Sequence, residues 1–137
     1  MHLESVSLSI LGIALGTVAH AAVGAIWYSK LLFIDRWMAA LGKTMDQMRG
    51  NPAVSIAGSV VGSVVTTAIL AVIYQWGGGD GPVDGLAVGV LIGAGVVCVE
   101  GVNRPLFEGS SWALFWINTG AAVLGFGLAG LVYGLVA

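Results

Sequence analysis

Four long apolar runs dominate the sequence and leave few options for its fold. Each run is long enough to cross about 30 Å of hydrocarbon, which takes about 20 helical residues. A helix satisfies its backbone hydrogen bonds within one segment, as lipid requires. The sequence therefore predicts an all-α integral membrane four-helix bundle that forms a single transmembrane domain over residues 1–137. The predicted spans cover about residues 6–29, 53–76, 83–102 and 112–136.

Composition supports this prediction and excludes several classes of protein. Only 9% of the residues are charged and 58% are hydrophobic, whereas an average protein has about 25% charged residues. Five Lys and Arg residues are too few to form a surface that follows nucleic-acid phosphates. A single cysteine and the absence of metal-ligand spacings predict no cofactor and no metal site. Because residues 1–4 contain no Lys or Arg, the first run is predicted to be a permanent span rather than a signal peptide.

An amphipathic helix is predicted between spans 1 and 2, over about residues 31–49. Its apolar residues recur at spacings of three and four, which is typical of one helix face. These residues are Ile34, Trp37, Met38, Leu41, Met45 and Met48. Gly42 is predicted to break the helix, and Thr44 with Gln47 to cap the following turn. We expect the helix to lie in the headgroup plane; the alternative is a polar loop.

Basic residues predict the orientation in the membrane. Four lie after span 1 and one lies after span 3: Lys30, Arg36, Lys43, Arg49 and Arg104. Cytoplasmic loops carry an excess of Lys and Arg. We therefore expect both basic loops to face the cytoplasm and both termini to face outward.

Glycine spacing predicts how the helices meet. Gly85, Gly89 and Gly93 form two successive small-xxx-small steps on span 3, and similar pairs occur on the other spans: Gly12/Gly16, Gly58/Gly62 and Gly130/Gly134. Small residues let helix backbones approach closely in lipid. We expect a compact bundle with faces left for a second copy of the chain or for a larger membrane-protein partner.

Three polar residues inside the predicted spans form a candidate intramembrane site: His20, Glu100 and Asn118. Such residues are costly in lipid, so each is a functional hypothesis. Together they could line a pocket that opens toward the basic loops and binds protons or a small solute. Alternatively, each has a separate structural role. His20 and Asn118 would then bond neighbouring helices, and Glu100 would pair with Arg104 at i, i+4.

Catalysis has little support in the sequence, because no nucleophile has a base within reach. The leading hypothesis is a non-enzymatic structural or accessory membrane subunit that associates with itself or with a larger complex. The alternative is a small transporter or channel that uses His20, Glu100 and Asn118. Membrane lipid is a partner in either case, as solvent or as ligand.

The junction after span 1 resembles a known family. An uncharacterised prokaryotic family of small four-span membrane proteins has the signature Trp-Tyr-Ser-Pro-x-Leu-Phe-Gly, followed by Trp. The residues that match are Trp27, Tyr28, Ser29, Leu32, Phe33 and Trp37. Lys30 stands in place of the Pro, and Ile34 in place of the Gly. The resemblance implies a four-span fold and a prokaryotic cell-membrane location, and it implies no reaction.

Overall fold

Five helices make up the computed structural model, which describes residues 6–48 and 50–137. They are α1 (Ile10–Trp27), α2 (Ile34–Leu41), α3 (Pro52–Trp76), α4 (Pro82–Glu108) and α5 (Trp112–Val136). All but α2 are long and apolar enough to cross a membrane. The described ranges contain no strand. The predicted all-α fold is therefore confirmed, and the chain is a multi-pass membrane protein. Residues 1–5 and Arg49, which entered the predictions above, lie outside the described residues.

Side-chain caps begin three of the long helices. Ser9 Oγ accepts the Gly12 N–H at 3.0 Å, and Asn51 Oδ1 accepts the Ala53 N–H at 2.9 Å. Ser111 Oγ accepts the Ala113 N–H at 3.1 Å in the same way. Such caps satisfy backbone donors that have no partner within the helix. The Ser9 cap explains why α1 begins a few residues after the predicted start of span 1.

The chain between α1 and α3 folds as two short helical pieces. Helix α2 ends at Gly42, which has a φ of 70°, a left-handed conformation that glycine adopts at low cost. A 3₁₀ turn at Met45–Gln47 follows, capped by Thr44 and Gln47, with the Thr44 N–H donating to Gln47 Oε1 at 2.9 Å. The break and the cap thus occur where the sequence places them. We call this end of the bundle, which holds Lys30, Lys43 and Arg104, the basic end.

Helix α4 is longer and less regular than the predicted third span. It contains two π-helical segments, at Gly93–Cys98 and Arg104–Glu108. Pro105 lies within the second segment and lacks the N–H that a regular helix would use. The helix ends at Gly109, with a φ of 68°. The helix therefore continues to Glu108, beyond the predicted end of span 3 at Val102.

Helix α5 lies at the centre of the bundle and packs mainly against α4 and α1. The backbones of α4 and α5 approach so closely that a Cβ on Gly85 would collide with the Gly130 carbonyl oxygen. A Cβ on Gly89 would likewise collide with the Phe126 carbonyl oxygen, and one on Gly93 would lie 2.8 Å from Val123 Cα. Packing of this kind holds helices together where lipid removes the hydrophobic driving force.

Only one half of α3 packs against the rest of the bundle. Apart from Ala71, its buried residues recur at spacings of four, three and four: Ser63, Thr67, Leu70 and Tyr74. Leu70, Ala71 and Tyr74 form the core with Ala129 and Tyr133 of α5. Residues 53–62, by contrast, are all exposed. The core therefore lies toward the Gly77–Gly81 loop, and α3 stands apart from its neighbours at the basic end.

Candidate functional site

The turn after α1 is fixed to α5 by Trp27. Its Nε1–H donates to the Ile117 carbonyl at 2.9 Å, and its ring covers Gly120, where a Cβ would lie 2.7 Å from Trp27 Cζ2. Phe33 stacks on the same ring with a centroid distance of 4.5 Å. Leu32 lines an apolar groove beside Trp27. The aromatic residues of the sequence motif thus hold the loop against the central helix.

Asn118 is held by two other residues of that motif. The Tyr28 hydroxyl donates to Asn118 Oδ1 at 2.7 Å, and Trp37 Nε1–H donates to the same oxygen at 3.1 Å. A tyrosine hydroxyl already carries its proton at neutral pH, and burial raises the pKa of Tyr28 further, so this hydroxyl acts as the donor. Asn118 therefore joins α5 to the end of α1 and to α2. This arrangement gives Asn118 a structural role at the basic end.

His20 bonds to α3. Its Nδ1 lies 2.8 Å from Ser63 Oγ, while that hydroxyl donates to the Ser59 carbonyl at 3.0 Å. When the Ser63 proton is donated to the Ser59 carbonyl, the histidine donates its Nδ1–H to Ser63 Oγ. The ring also packs edge-on against Phe126, at a centroid distance of 5.5 Å. In that arrangement, a neutral His20 has its lone pair on Nε2.

A groove of about 710 Å³ separates α1 from the free half of α3. It runs from Tyr28, at the basic end, to His20. Serines line the α3 side at every turn: Ser55, Ser59 and Ser63. The Ser59 hydroxyl donates to the Ser55 carbonyl at 2.9 Å, as Ser63 donates to Ser59. The Ser59 and Ser63 hydroxyls thus have partners within their own helix.

The structure does not bring the three predicted site residues into one pocket. His20 lines the α1–α3 groove, whereas Asn118 lines a separate cavity of about 220 Å³ between α4 and α5. Glu100 is exposed on α4 and lines neither space. Arg104 Nε lies 4.0 Å from Glu108 Oε2, not beside Glu100 as expected. Arg104 thus pairs with the carboxylate four residues after it and not with the one four residues before it.

Sequence reasoning missed several residues of the groove. Ser55, Ser59 and Ser63 were not singled out, although their spacing of four places them on one helix face. Thr66, three residues after Ser63, also lines the groove and was missed as well. The partners of Asn118 had no signal in the sequence, because they lie 81 and 90 residues away.

Within the described ranges, no group of three or more His, Cys, Asp or Glu residues could hold a metal ion. A family model described as "Protein of unknown function (DUF1761)" matches residues 11–134. No curated protein and no solved structure matches the chain.

Proposed function

Because the chain belongs to the family described as "Protein of unknown function (DUF1761)", which implies no reaction, we propose a function from its architecture. In this proposal, the protein is a non-enzymatic structural or accessory membrane subunit that associates with a second copy of itself through α3. It resides in a prokaryotic cell membrane. Its basic end faces the cytoplasm and both termini face outward, in agreement with the positive-inside rule.

One observation carries this proposal: the face of α3 that points away from the core is suited to close helix contact. Gly58 lies there, and a Cβ on it would meet nothing within 4 Å. Four β-branched residues extend the same face at helical spacing, with exposed fractions of 51–67%: Val54, Val61, Val65 and Ile69. We call these five residues the α3 outer face. In contrast, the glycine pairs of α4 and α5 are already used within the chain.

A large side chain at position 58 is expected to weaken self-association. Gly58→Leu keeps the two α3 backbones apart and should raise the dimer dissociation constant at least about tenfold, which corresponds to about 1.4 kcal/mol. The measurement is the native mass of protein extracted gently from its own membrane. Gly95→Leu is the matched control, because Gly95 also has nothing within 4 Å of its Cβ position but lies on α4.

Each outcome of the mass measurement has a clear meaning. The proposal is supported if the wild type and Gly95→Leu are dimers and Gly58→Leu is a monomer. A larger partner at fixed stoichiometry makes the protein an accessory subunit and rejects self-association. A monomeric wild-type chain without a partner rejects both forms of the hypothesis.

A small transporter or channel is the second candidate, favoured by the position of His20 in the groove. Glu100 and Asn118 have other surroundings, so His20 is the residue on which this candidate depends. If protons pass along the groove, His20→Ala should abolish proton flux into liposomes while the purified protein keeps its helical content. Proton flux that is absent from the wild type, or equal in the variant, would reject transport.

A further inference from the structure

A second cavity adjoins the α1–α3 groove at the basic end. It has a volume of about 510 Å³ and lies between the turn after α1 and the loop after α2. Three charged side chains line it: Lys30, Asp35 and Lys43. The cavity and the groove are neighbours, because Tyr28 lines both.

The charges in this cavity suit a singly charged anion. Two lysines and one aspartate give a net charge of +1. Within the described part of the chain, the ion pair within 4.0 Å is that of Arg104 and Glu108, so neither lysine is neutralised at that distance. A phosphodiester carries one negative charge and would balance the cavity. Asp35 could accept hydrogen bonds from a headgroup that carries hydroxyl groups.

The groove suits an acyl chain, although serines line one side. The Ser59 and Ser63 hydroxyls donate to carbonyls of their own helix, so an apolar guest leaves neither donor without a partner. Much of the remaining wall is small and apolar, including Ala21, Gly24 and Ala25. An acyl chain along the groove would therefore leave the Ser59 and Ser63 hydroxyls hydrogen-bonded within α3, which lowers the cost of excluding water there.

We propose that the two spaces together bind one anionic glycerophospholipid. Its phosphodiester lies between Lys30 and Lys43, its headgroup hydroxyls face Asp35, and one acyl chain occupies the α1–α3 groove. This inference goes beyond self-association and does not depend on it, because the α3 outer face points away from the groove. The lipid then acts as a specific ligand rather than only as solvent.

The test compares lipids retained by the protein after reconstitution in nanodiscs with equal parts phosphatidylglycerol and phosphatidylcholine. Native mass spectrometry counts the bound lipids of each kind. The wild type is expected to retain phosphatidylglycerol in preference. Lys30→Gln and Lys43→Gln should each reduce that preference about fivefold, because a basic residue near the membrane surface contributes about 1 kcal/mol.

Further variants distinguish a specific lipid site from general electrostatic attraction between basic side chains and anionic lipid. Arg104→Gln removes a basic residue at the same end but outside the cavity, and should leave the preference unchanged. Gly24→Leu fills the groove, where a Cβ meets nothing within 4 Å, and should reduce retention of phosphatidylglycerol. Gly95→Leu is the matched control for this variant.

The opposing outcomes overturn the proposal. Equal retention of both lipids by the wild type indicates that there is no specific site. The same holds if Arg104→Gln reduces the preference for phosphatidylglycerol as much as the two lysine variants do. If millimolar glycerophosphate displaces the lipid completely, the cavity binds a soluble phosphate ester and the acyl chain contributes nothing. If Gly24→Leu retains as much phosphatidylglycerol as the wild type, the groove is not part of the lipid site.

Discussion

Gly89→Leu is expected to abolish the folded bundle, since even the first carbon of the new side chain would collide with the Phe126 carbonyl of α5. Backbone atoms on a packed helix cannot move aside as a flexible side chain can. Overpacking by a few methylenes typically costs about 1–3 kcal/mol, and four added carbons against a backbone should cost more. The measurement is the yield of monodisperse protein and its thermal unfolding in detergent.

Gly95→Leu provides the comparison on the same helix. Its Cβ meets nothing within 4 Å, so this variant should fold with the yield of the wild type. Gly89 lies against α5 of the same chain, so a Gly89→Leu variant that folds normally would contradict the α4–α5 packing itself.

Tyr133→Ala is expected to destabilise the protein by about 3–5 kcal/mol, the usual cost of deleting a buried aromatic ring. Tyr133 is completely buried and packs edge-on against Tyr74 at a centroid distance of 5.4 Å. Its hydroxyl also accepts the Ser9 N–H at 3.3 Å. The measurement is the shift of the unfolding transition in detergent and denaturant.

Two further variants show which part of Tyr133 matters. Tyr133→Phe retains the ring and removes the hydroxyl, so it should cost only about 0.5–1.5 kcal/mol. Trp116→Ala removes a larger ring from a side chain that is 65% exposed, and should change stability little in detergent. A Trp116→Ala effect as large as that of Tyr133→Ala would contradict the location of the core.

The four membrane-spanning helices could be predicted from the sequence because their number and their helical structure follow from the length of each apolar run. Thr44 and Gln47 were predictable for a similar reason: a capping box is a local pattern. The π-helical segments of α4 were not foreseen. Pro105 gave a signal for the second, but Gly93–Cys98 contains no proline, and its wide turn depends on how α4 packs against α5.

The candidate site was harder to predict because it depends on which helices meet. Depth in the membrane placed His20, Glu100 and Asn118 in one layer. It could not show that α3 reaches His20 through Ser63, or that α2 reaches Asn118 through Trp37. Residues in one layer can still face different spaces, and this distinction requires the arrangement of the helices around α5.

The one-sided attachment of α3 has a mechanical consequence. Its contacts with the bundle end at Ser63, which lies 2.8 Å from His20 Nδ1, whereas Pro52 is the far end of the helix, about 17 Å from Ser63 at 1.5 Å per residue. Over that length, a tilt of about 10° would move Pro52 by about 3 Å. A small tilt of α3 would therefore change the width of the groove at the basic end while the core around Leu70 and Tyr74 stays packed.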